Sequence, residues 1–362
     1  METKVVAIGG KGITKRVLIG GKNPVTVQTM WKEGITDLPA NNDKFERILR
    51  QLNELQMIGC DIVRFAVPDM ESAVALNAIS ERTTMPLVAD IHFDYKLALE
   101  CLKANIAAIR INPGNIGSVE NTRKVVEACC QNGTAIRIGI NSGSLPQDLQ
   151  EQIALGKITR AQGLCQTAVR EAEVFENLNF DQYVVSMKSS DVQETIDCNR
   201  FYAQKYKNPL HLGVTEAGPL IGGIVKSSIA FSTLLNEGIG DTIRVSLSSI
   251  AENEVIAGIN ILKECGKRKG GVTLVSCPRC GRIGFDVHSF VDRWQNKLLA
   301  MNKNITVAVM GCVVNGPGEG RHADIGIAGT KDKAIIFKKG KIVRTIDAKD
   351  ADKVFEEELN TL

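Results

Sequence analysis

The sequence predicts an α/β protein in which a TIM-type (β/α)8 barrel is followed by a smaller α/β domain. Short runs rich in Val and Ile alternate with segments that repeat apolar residues every three to four positions, as parallel strands joined by helical crossovers do. Eight such strand–helix units fill about 250 residues, which is the usual size of a closed barrel. The last quarter of the chain breaks this alternation and predicts a second domain. A doubly wound open sheet is the alternative to the barrel.

Eight strands are predicted in the barrel. Each is a short apolar run bounded by glycine, proline or polar residues. They span residues 25–30, 61–67, 86–91, 107–112, 135–141, 183–188, 209–215 and 241–247. Helical periodicity between them is clearest over residues 43–58, 122–131 and 227–236. The irregular spacing of the strands excludes a solenoid of equal repeats.

The composition of the chain changes near residue 266. A basic run flanked by glycine, residues 266–271, is typical of a linker. The pattern after it predicts a glycine-rich loop, a hairpin around 338–341, strands at 272–276, 305–310 and 324–328, and helices at 289–301 and 347–359. The predicted organisation is therefore a barrel over residues 1–265, a linker over 266–271 and a second domain over 272–362.

Composition limits the classes of function. Hydrophobic residues make up 44% and charged residues 23% of the chain, which are values of an ordinary globular protein. The 44 Lys and Arg residues nearly balance the 41 Asp and Glu residues, so neither nucleic-acid nor membrane-surface binding is predicted. We find no secretory signal pattern and no apolar run long enough for a transmembrane helix. We therefore expect a cytoplasmic protein whose ten cysteines form no disulfides.

Five of the predicted barrel strands carry a basic residue. Strands of a parallel sheet are covered on both faces and consist mainly of Val, Ile and Leu. A buried cation without a partner costs several kcal/mol, so each of these side chains needs an acceptor. Internal salt bridges would provide one, but five cations on one barrel favour a shared anionic ligand. The five are Arg64, Arg110, Arg137, Lys188 and Arg244.

Polar residues accompany these cations. Residues two or four apart on a strand face the same side, which groups Asn112, Asn141 and Ser246 with the barrel arginines. Arginine beside amide and hydroxyl groups suits phosphate oxygens, and the sites of TIM barrels lie at the carboxyl ends of the strands. The sequence therefore predicts that this end of the barrel binds a small phosphorylated anion.

Further titratable residues lie at the ends of the predicted strands. Asp90 and His92 stand at the end of one strand, and Glu216 follows another. A glutamate in this position is either a proton donor or a residue that balances nearby positive charge. His92 and His211 are each either part of the site or a structural histidine with satisfied hydrogen bonds.

Three of the ten cysteines have the spacing of metal or cluster ligands. Cys277 and Cys280 form a C-x2-C pair directly after a predicted strand, and Cys312 begins the glycine-rich loop. A structural zinc site, an iron–sulfur cluster and a redox dithiol are the alternatives. Glu319 and His322 are the nearest candidates for a further ligand. The other seven cysteines are predicted to be small buried hydrophobic residues.

Several motifs, taken together and in this order, closely resemble one family. They are VADIHFDYKLAL, IRINPGNIG, IRIGINSGSL, HLGVTEAG, EGIGDTIRVSL, CPRCGR and GCVVNGPGE. The chain is similar over nearly its whole length to the 4-hydroxy-3-methylbut-2-en-1-yl diphosphate synthase family, the iron–sulfur enzymes of the non-mevalonate isoprenoid pathway. It lacks the long insertion of plant-type members and resembles the compact bacterial form. It departs from the family over residues 29–32 (Thr-Met-Trp-Lys), where Ser-Met-Thr and then a polar residue are usual.

The resemblance implies an iron–sulfur oxidoreductase. Its second domain would be similar to the cluster-binding part of sulfite and nitrite reductases. The implied ligands of a 4Fe-4S cluster are Cys277, Cys280, Cys312 and, on the exchangeable iron, Glu319. Glu216 would face the reacting carbons as the proton donor. The residues that would hold the substrate diphosphate are Arg64, Arg110, Asn112, Arg137, Asn141, Lys188, Arg244 and Ser246.

The implied reaction is the reductive ring opening and dehydration of 2-C-methyl-D-erythritol 2,4-cyclodiphosphate to 4-hydroxy-3-methylbut-2-enyl diphosphate. Reduced flavodoxin or ferredoxin would deliver the two electrons through the cluster. The resemblance also implies a homodimer in which each cluster domain caps the barrel of its partner. The competing interpretation is a zinc-stabilised protein whose barrel binds a phosphorylated ligand without redox chemistry, as a pterin-type transferase or a binding module would.

Overall fold

The computed structural model describes residues 2–38, 42–278, 280, 284–301, 303–312, 316–330 and 332–362. The chain divides into two compact units, Met1–Arg268 and Lys269–Leu362. Each unit has a sheet of its own, and we describe each by itself.

The first unit contains a closed parallel barrel, which confirms the predicted fold class. Its eight strands within the described residues are β3 (Thr26–Met30), β4 (Ile62–Ala66), β5 (Leu87–Asp90), β6 (Ala108–Ile111), β7 (Ala135–Asn141), β8 (Tyr183–Lys188), β9 (His211–Leu212) and β10 (Thr242–Ile243). Neighbours pair in parallel in the order β8-β7-β6-β5-β4-β3-β10-β9. A parallel bridge between Val185 and Leu210 joins the two end strands and closes the ring.

Helices between the strands form the outer layer of this unit. They are α1 (Asn42–Met57), α2 (Met70–Ser80), α3 (Tyr95–Cys101), α4 (Val119–Asn132), α5 (Gln147–Ala154), α6 (Arg160–Asn177), α7 (Val192–Ala203), α8 (Leu220–Asn236) and α9 (Ala251–Glu264). In α1 the buried residues Ile48, Leu52 and Leu55 recur every three to four positions, so one stripe of the helix faces the barrel. Side chains cap several of the helix starts, as where Thr159 and Gln162 form a capping box at α6.

An antiparallel hairpin precedes the barrel and was not predicted from the sequence. It consists of β1 (Val6–Gly9) and β2 (Arg16–Ile19). Ile8 and Ile19 pack in one cluster with Val88 and with residues at the starts of other barrel strands. The hairpin therefore closes the amino-terminal end of the barrel. Its strand pattern was not recognised in the sequence because its turn is rich in basic and glycine residues.

Two predicted strands are much shorter than expected. The prediction of 209–215 and 241–247 was wrong in length, because only two residues of each form the ladders of β9 and β10. The Arg244 amide still donates to the Leu212 carbonyl at 3.0 Å, so the chain stays beside β9 as it leaves the sheet. These irregular ends carry polar residues into the mouth of the barrel.

The buried-cysteine prediction was partly wrong. Cys60, Cys101, Cys129 and Cys198 are buried, but Cys130 is exposed and Cys165 and Cys265 are half-buried. Adjacent residues on a helix point about 100° apart, which turns Cys130 outward when Cys129 packs inward.

The second unit is a mixed five-stranded sheet covered by helices. Its elements are β11 (Thr273–Ser276), α10 (Val287–Leu299), β12 (Thr306–Met310), α11 (Gly316–Glu319), β13 (Ile325–Gly329), β14 (Lys333–Lys338), β15 (Lys341–Asp347) and α12 (Ala351–Leu359). The first three strands are parallel and the last two are antiparallel. Phe290, Trp294 and Phe355 form an aromatic core with ring centroids 5.0–5.7 Å apart. None of the helices in the described part of the chain is long and apolar enough to cross a bilayer.

Candidate active site at the barrel mouth

The carboxyl ends of the barrel strands surround a cavity of about 170 Å³. Seven of the eight residues predicted to bind a diphosphate line it: Arg64, Arg110, Arg137, Asn141, Lys188, Arg244 and Ser246. Met30, Asp90, His92, Gly139, Ser186 and Thr215 complete the lining. The predicted cations therefore converge on one polar cavity, although they come from five different strands or strand ends.

Asp90 is the counter-ion of two of these cations. Its Oδ1 lies 3.1 Å from Nη1 of Arg110, and its Oδ2 lies 3.4 Å from Nε of Arg64. The contact to Arg64 is an ion pair without hydrogen-bond geometry, since that Nε has no hydrogen-bond partner. His92 Nε2 lies 3.6 Å from the same carboxylate. One buried carboxylate thus holds two guanidinium groups at the cavity wall.

The ionisation of Asp90 follows from this arrangement. Burial alone would raise the pKa of Asp90, but Arg64, His92 and Arg110 outweigh it and hold that pKa well below its usual value. Burial lowers the pKa of Arg64 to about 10, with Asp90 opposing the shift. Asp90 is therefore ionised and Arg64 protonated at neutral pH.

Arg137 is buried without a carboxylate partner. Its Nη1 donates to Oε1 of Gln28, while Nε and Nη2 have no acceptor. Burial, reinforced by Arg64 and Arg110, lowers the pKa of Arg137 well below its usual value. Buried N–H groups without acceptors cost about 1–3 kcal/mol each, so this side chain is poised to accept an anion from the cavity.

Lys188 is the second cation of the cavity that pairs with no described carboxylate. Its side chain is 7% exposed. Burial, followed by Arg137 and Arg64, lowers the pKa of Lys188 well below its usual value. An anion in the cavity would favour the charged ammonium and reverse that shift.

Two glycines make room for the buried cations. A Cβ at Gly213 would lie 2.7 Å from Cε and 2.9 Å from Nζ of Lys188. A Cβ at Gly139 would lie 2.6 Å from Nη2 of Arg110, and that nitrogen donates to the Gly139 carbonyl at 3.1 Å. Both positions therefore need glycine, because a long basic side chain crosses the barrel beside each of them.

Glu254 is the counter-ion of Arg244 and was not predicted. It lies on α9, is fully buried, and its two oxygens lie 3.3 Å from Nη2 and Nε of Arg244. It also accepts from Lys32 Nζ at 2.5 Å and from Thr29 Oγ1 at 2.8 Å. Burial would raise the pKa of Glu254, but Arg244, the Leu247 amide and Lys32 hold it below its usual value.

The mouth carries an excess of positive charge. Five cations line the cavity, whereas only Asp90 and Glu254 pair with them within the described part of the chain. Two carboxylates thus face five basic side chains. An excess of this kind suits a polyanionic ligand.

Other predicted residues lie in different places. Asn112 is buried, but its Oδ1 accepts from the Gly114 amide at 3.2 Å in the turn after β6, and it does not line the cavity. His211 is buried deeper in the barrel, beside Thr242. Glu216 is exposed one residue beyond Thr215 and has a φ of +50°. A non-glycine residue with positive φ is uncommon and occurs often at functional sites.

The predicted cluster ligands lie in the second unit. Cys277 and Cys312 follow β11 and β12, which pair in parallel with Ser276 opposite Val309. The Gly311 amide donates to Cys277 Sγ at 3.1 Å, and Cys280 is exposed. His322 accepts from Arg321 at 3.0 Å. The side chain of Glu319 lies outside the described residues, as do residues 279, 281–283 and 313–315.

Sequence reasoning missed the residues that hold the cations in place. Glu254 stands in an acidic, polar stretch at the start of a helix, which usually indicates a solvated surface. Gln28 carried a usable signal, because a polar amide in a buried strand needs a partner inside the barrel.

Among the described residues no three His, Cys, Asp or Glu side chains are gathered closely enough to hold a metal ion.

Two family models match the chain. The GcpE TIM-barrel domain matches residues 9–259, and the GcpE protein C-terminal domain matches residues 273–361. The two matches fall in the two compact units and together span most of the sequence.

Curated relatives match over the full length. The 4-hydroxy-3-methylbut-2-en-1-yl diphosphate synthase (flavodoxin) of Treponema denticola is 54% identical over 99% of this chain and 98% of its own length. The proteins of that name from Treponema pallidum and Clostridium acetobutylicum are 54% and 46% identical, over 100% and 96% of this chain and 92% and 95% of their own lengths. Among solved structures, a dihydropteroate synthase of Coxiella burnetii aligns with a TM-score of 0.47 at 12% identity, over 72% of this chain and 98% of its own.

Proposed function

The chain belongs to the GcpE family, and from that premise we infer that it is an oxidoreductase of non-mevalonate isoprenoid biosynthesis. It catalyses the reductive ring opening and dehydration of 2-C-methyl-D-erythritol 2,4-cyclodiphosphate to 4-hydroxy-3-methylbut-2-enyl diphosphate. Reduced flavodoxin is the proposed electron donor, as in the names of its relatives. The observation that supports placing this reaction at the barrel mouth is the excess of basic side chains in the cavity.

The barrel cations bind and orient the diphosphate. Arg137 and Lys188 have no carboxylate partner among the described residues, and Nε and Nη2 of Arg137 also lack any acceptor. Arg64 and Arg110 are fixed by Asp90, so their guanidinium groups are positioned before the substrate arrives. Asn141 and Ser246 add polar contacts to the cavity wall. Asn112 does not line the cavity; its Oδ1 accepts from the Gly114 amide and so stabilises the turn after β6.

Glu216 is the proposed proton donor for the departing hydroxyl. It follows the cavity residue Thr215, and its backbone is in the left-handed region. That conformation costs about 1–3 kcal/mol in a non-glycine residue, which is typical of functional sites. Glu216→Gln should then lower kcat with little change in KM, because the diphosphate contacts are made by other side chains.

The cysteine site fits an iron–sulfur cluster. Cys277 and Cys312 leave adjacent parallel strands at the same edge, and the Gly311 amide already points at the Cys277 sulfur. Hydrogen bonds from backbone N–H groups to cysteine sulfur are a feature of iron–sulfur sites, where they tune the cluster. We propose Cys277, Cys280, Cys312 and Glu319 as ligands of a 4Fe-4S cluster. When bound, the cluster supplies electrons one at a time.

The test is anaerobic turnover of the cyclic diphosphate with reduced flavodoxin, together with iron, sulfide and zinc analysis. We expect about four iron and four sulfide per chain by the proposed stoichiometry. Arg110→Ala should weaken substrate binding and leave the cluster absorption unchanged, and Arg123→Ala, on the exposed face of α4, is the matched control. A colourless protein with one zinc per chain and no turnover would overturn the proposal.

A homodimer is the proposed assembly, and α8 offers a surface for it. Ile221, Val225 and Ile229 recur every fourth residue on this helix and are 78%, 51% and 51% exposed. An uncharged apolar stripe is self-complementary, so two copies can bury it across a two-fold axis without opposing charges. A second copy of the chain is therefore its proposed occupant.

Sedimentation velocity tests this assembly. Val225→Glu with Ile229→Glu should shift the dimer to a monomer, because the charges would face each other across the axis. Val119→Glu is the control, since Val119 is 65% exposed at the start of α4, away from α8. A wild-type protein that sediments as a monomer at micromolar concentration would refute the dimer.

A further inference from the structure

The loop after β3 carries a lysine that the proposed function does not use. Lys32 follows Trp31, which is buried and stacks on Phe65 with centroids 5.3 Å apart. This stacking fixes the loop against the barrel. Lys32 Nζ lies 2.5 Å from Oε1 of Glu254 and 3.2 Å from the Leu247 carbonyl oxygen. Its side chain is 34% exposed, so a partly solvated cation meets a fully buried carboxylate.

The carboxylate of Glu254 has more donors than it needs. Oε1 accepts from Lys32 at 2.5 Å and from the Leu247 amide at 2.9 Å, which fills its two lone pairs. Oε2 accepts from Thr29 at 2.8 Å. The three close donors come from the loop after β3, the segment after β10 and β3 itself. Each oxygen of Glu254 therefore has at least one donor closer than Arg244.

Arg244 is the loosely held member of this group. Both of its contacts to Glu254 are 3.3 Å long, whereas charge-assisted N–H···O bonds are usually about 2.7–2.9 Å. Arg244 also lines the cavity, which Lys32 and Glu254 do not. The guanidinium thus lies between a carboxylate that has closer donors and a cavity lined by other cations.

We propose that Lys32 is a positioning residue that neutralises Glu254 and so leaves Arg244 free to bind substrate phosphate. Without Lys32, the lone pair that it vacates would draw Arg244 closer to Glu254 and away from the cavity. The inference rests on the proposed function in one respect, that the cavity binds a diphosphate. In this role Lys32 makes no contact with the substrate itself.

Inorganic pyrophosphate is the probe, measured by calorimetry with the holoenzyme. Lys32→Met should raise its Kd by about tenfold, which corresponds to about 1.4 kcal/mol. Lys32→Arg should bind nearly as well as wild type, because the charge beside Glu254 is retained. Lys103→Met is the matched control, since Lys103 forms an exposed 2.6 Å pair with Glu100 on α3. With the cyclic diphosphate, Lys32→Met should raise KM and leave kcat within about twofold.

The double variant Lys32→Met with Glu254→Gln separates this role from direct binding. Removing the carboxylate removes the competitor for Arg244, so the double variant should recover most of the pyrophosphate affinity that Lys32→Met loses. Circular dichroism and a thermal melt establish that each variant is folded. If the double variant is folded and binds as weakly as Lys32→Met, Lys32 acts on the ligand directly and the proposal fails.

Lys32→Arg keeps the test decisive even if the double variant does not fold. Equal losses of affinity for Lys32→Met and Lys32→Arg would overturn a role based on charge, and so would an unchanged Kd for Lys32→Met. Failure of the underlying function has a different signature. In that case wild-type protein would not bind pyrophosphate, and Arg110→Ala would make no difference.

Discussion

Replacing Asp90 with asparagine tests whether a single buried carboxylate holds the barrel mouth together. Asp90 is 2% exposed and pairs with Arg110 at 3.1 Å and with Arg64 at 3.4 Å. At an effective dielectric constant near 20, each pair contributes about 4 kcal/mol, and burying the carboxylate costs several kcal/mol in return. Asparagine keeps an acceptor for Arg110 but leaves both guanidinium groups without a counter-ion. We expect a loss of about 3 kcal/mol in the free energy of unfolding.

Urea unfolding at pH 7 measures this loss. Trp31 stacks on Phe65 inside the barrel unit, so its fluorescence in a Trp294→Phe background reports unfolding of that unit. Asp148→Asn is the control, because Asp148 pairs with Arg170 at 2.7 and 3.0 Å on the surface. We expect no measurable change for this exposed pair, in spite of its shorter distances.

The pH dependence gives a second check on Asp90. Its pKa is lower in the folded protein than in the unfolded chain, where it is about 3.9. The contribution of Asp90 is therefore fully present above that value and is lost as the pH falls below it. The stability difference between wild type and Asp90→Asn should be constant from pH 6 to 8 and shrink below about pH 4. Equal stability of the two proteins at pH 7 would refute the reasoning.

Two further predictions concern a glycine and a half-buried acid. Gly213→Ala should displace Lys188, since the added Cβ would lie 2.7 Å from its Cε. Calorimetry should then show a pyrophosphate Kd raised by about tenfold or more. Gly222→Ala is the control and should leave that Kd unchanged, because nothing lies close to its added Cβ. Burial raises the pKa of Glu171 to about 7, although the Gly114 amide opposes the shift, so the folded state binds this proton more tightly than the unfolded chain. Stability should therefore fall as the pH rises from about 5 to 8, and Glu171→Gln should flatten that slope in urea titrations, whereas parallel slopes would contradict it.

The sequence predicted the barrel and its ligand class because both depend on local patterns. Strand-forming runs recur with helical segments between them, and the runs over residues 135–141 and 183–188 coincide with β7 and β8. Basic residues inside such runs are rare enough to indicate a site. Strand alternation and the common carboxyl edge then place those residues together without any knowledge of distances.

The groups that tune the site could not be predicted, because they depend on contacts between distant segments. Glu254 reaches Thr29 from 225 positions along the chain, and Arg137 finds Gln28 across 109 positions. An acid at the start of a helix looks the same in sequence whether it is solvated or buried. The turn that engages Asn112 was hidden for a similar reason, since an amide near a strand end fits a ligand and a turn equally well.

The barrel mouth is built so that its charges are only partly balanced. Full compensation of Arg137 and Lys188 would stabilise the free protein but would also remove the demand for an anion. Asp90 instead pairs with Arg64 and Arg110, and Glu254 pairs loosely with Arg244, whereas Arg137 and Lys188 pair with no described carboxylate. We expect a bound anion to supply the acceptors that Arg137 lacks, so that binding requires little reorganisation of the wall. On the proposed function, the unsatisfied guanidinium of Arg137 is a property of the binding site and not a defect of packing.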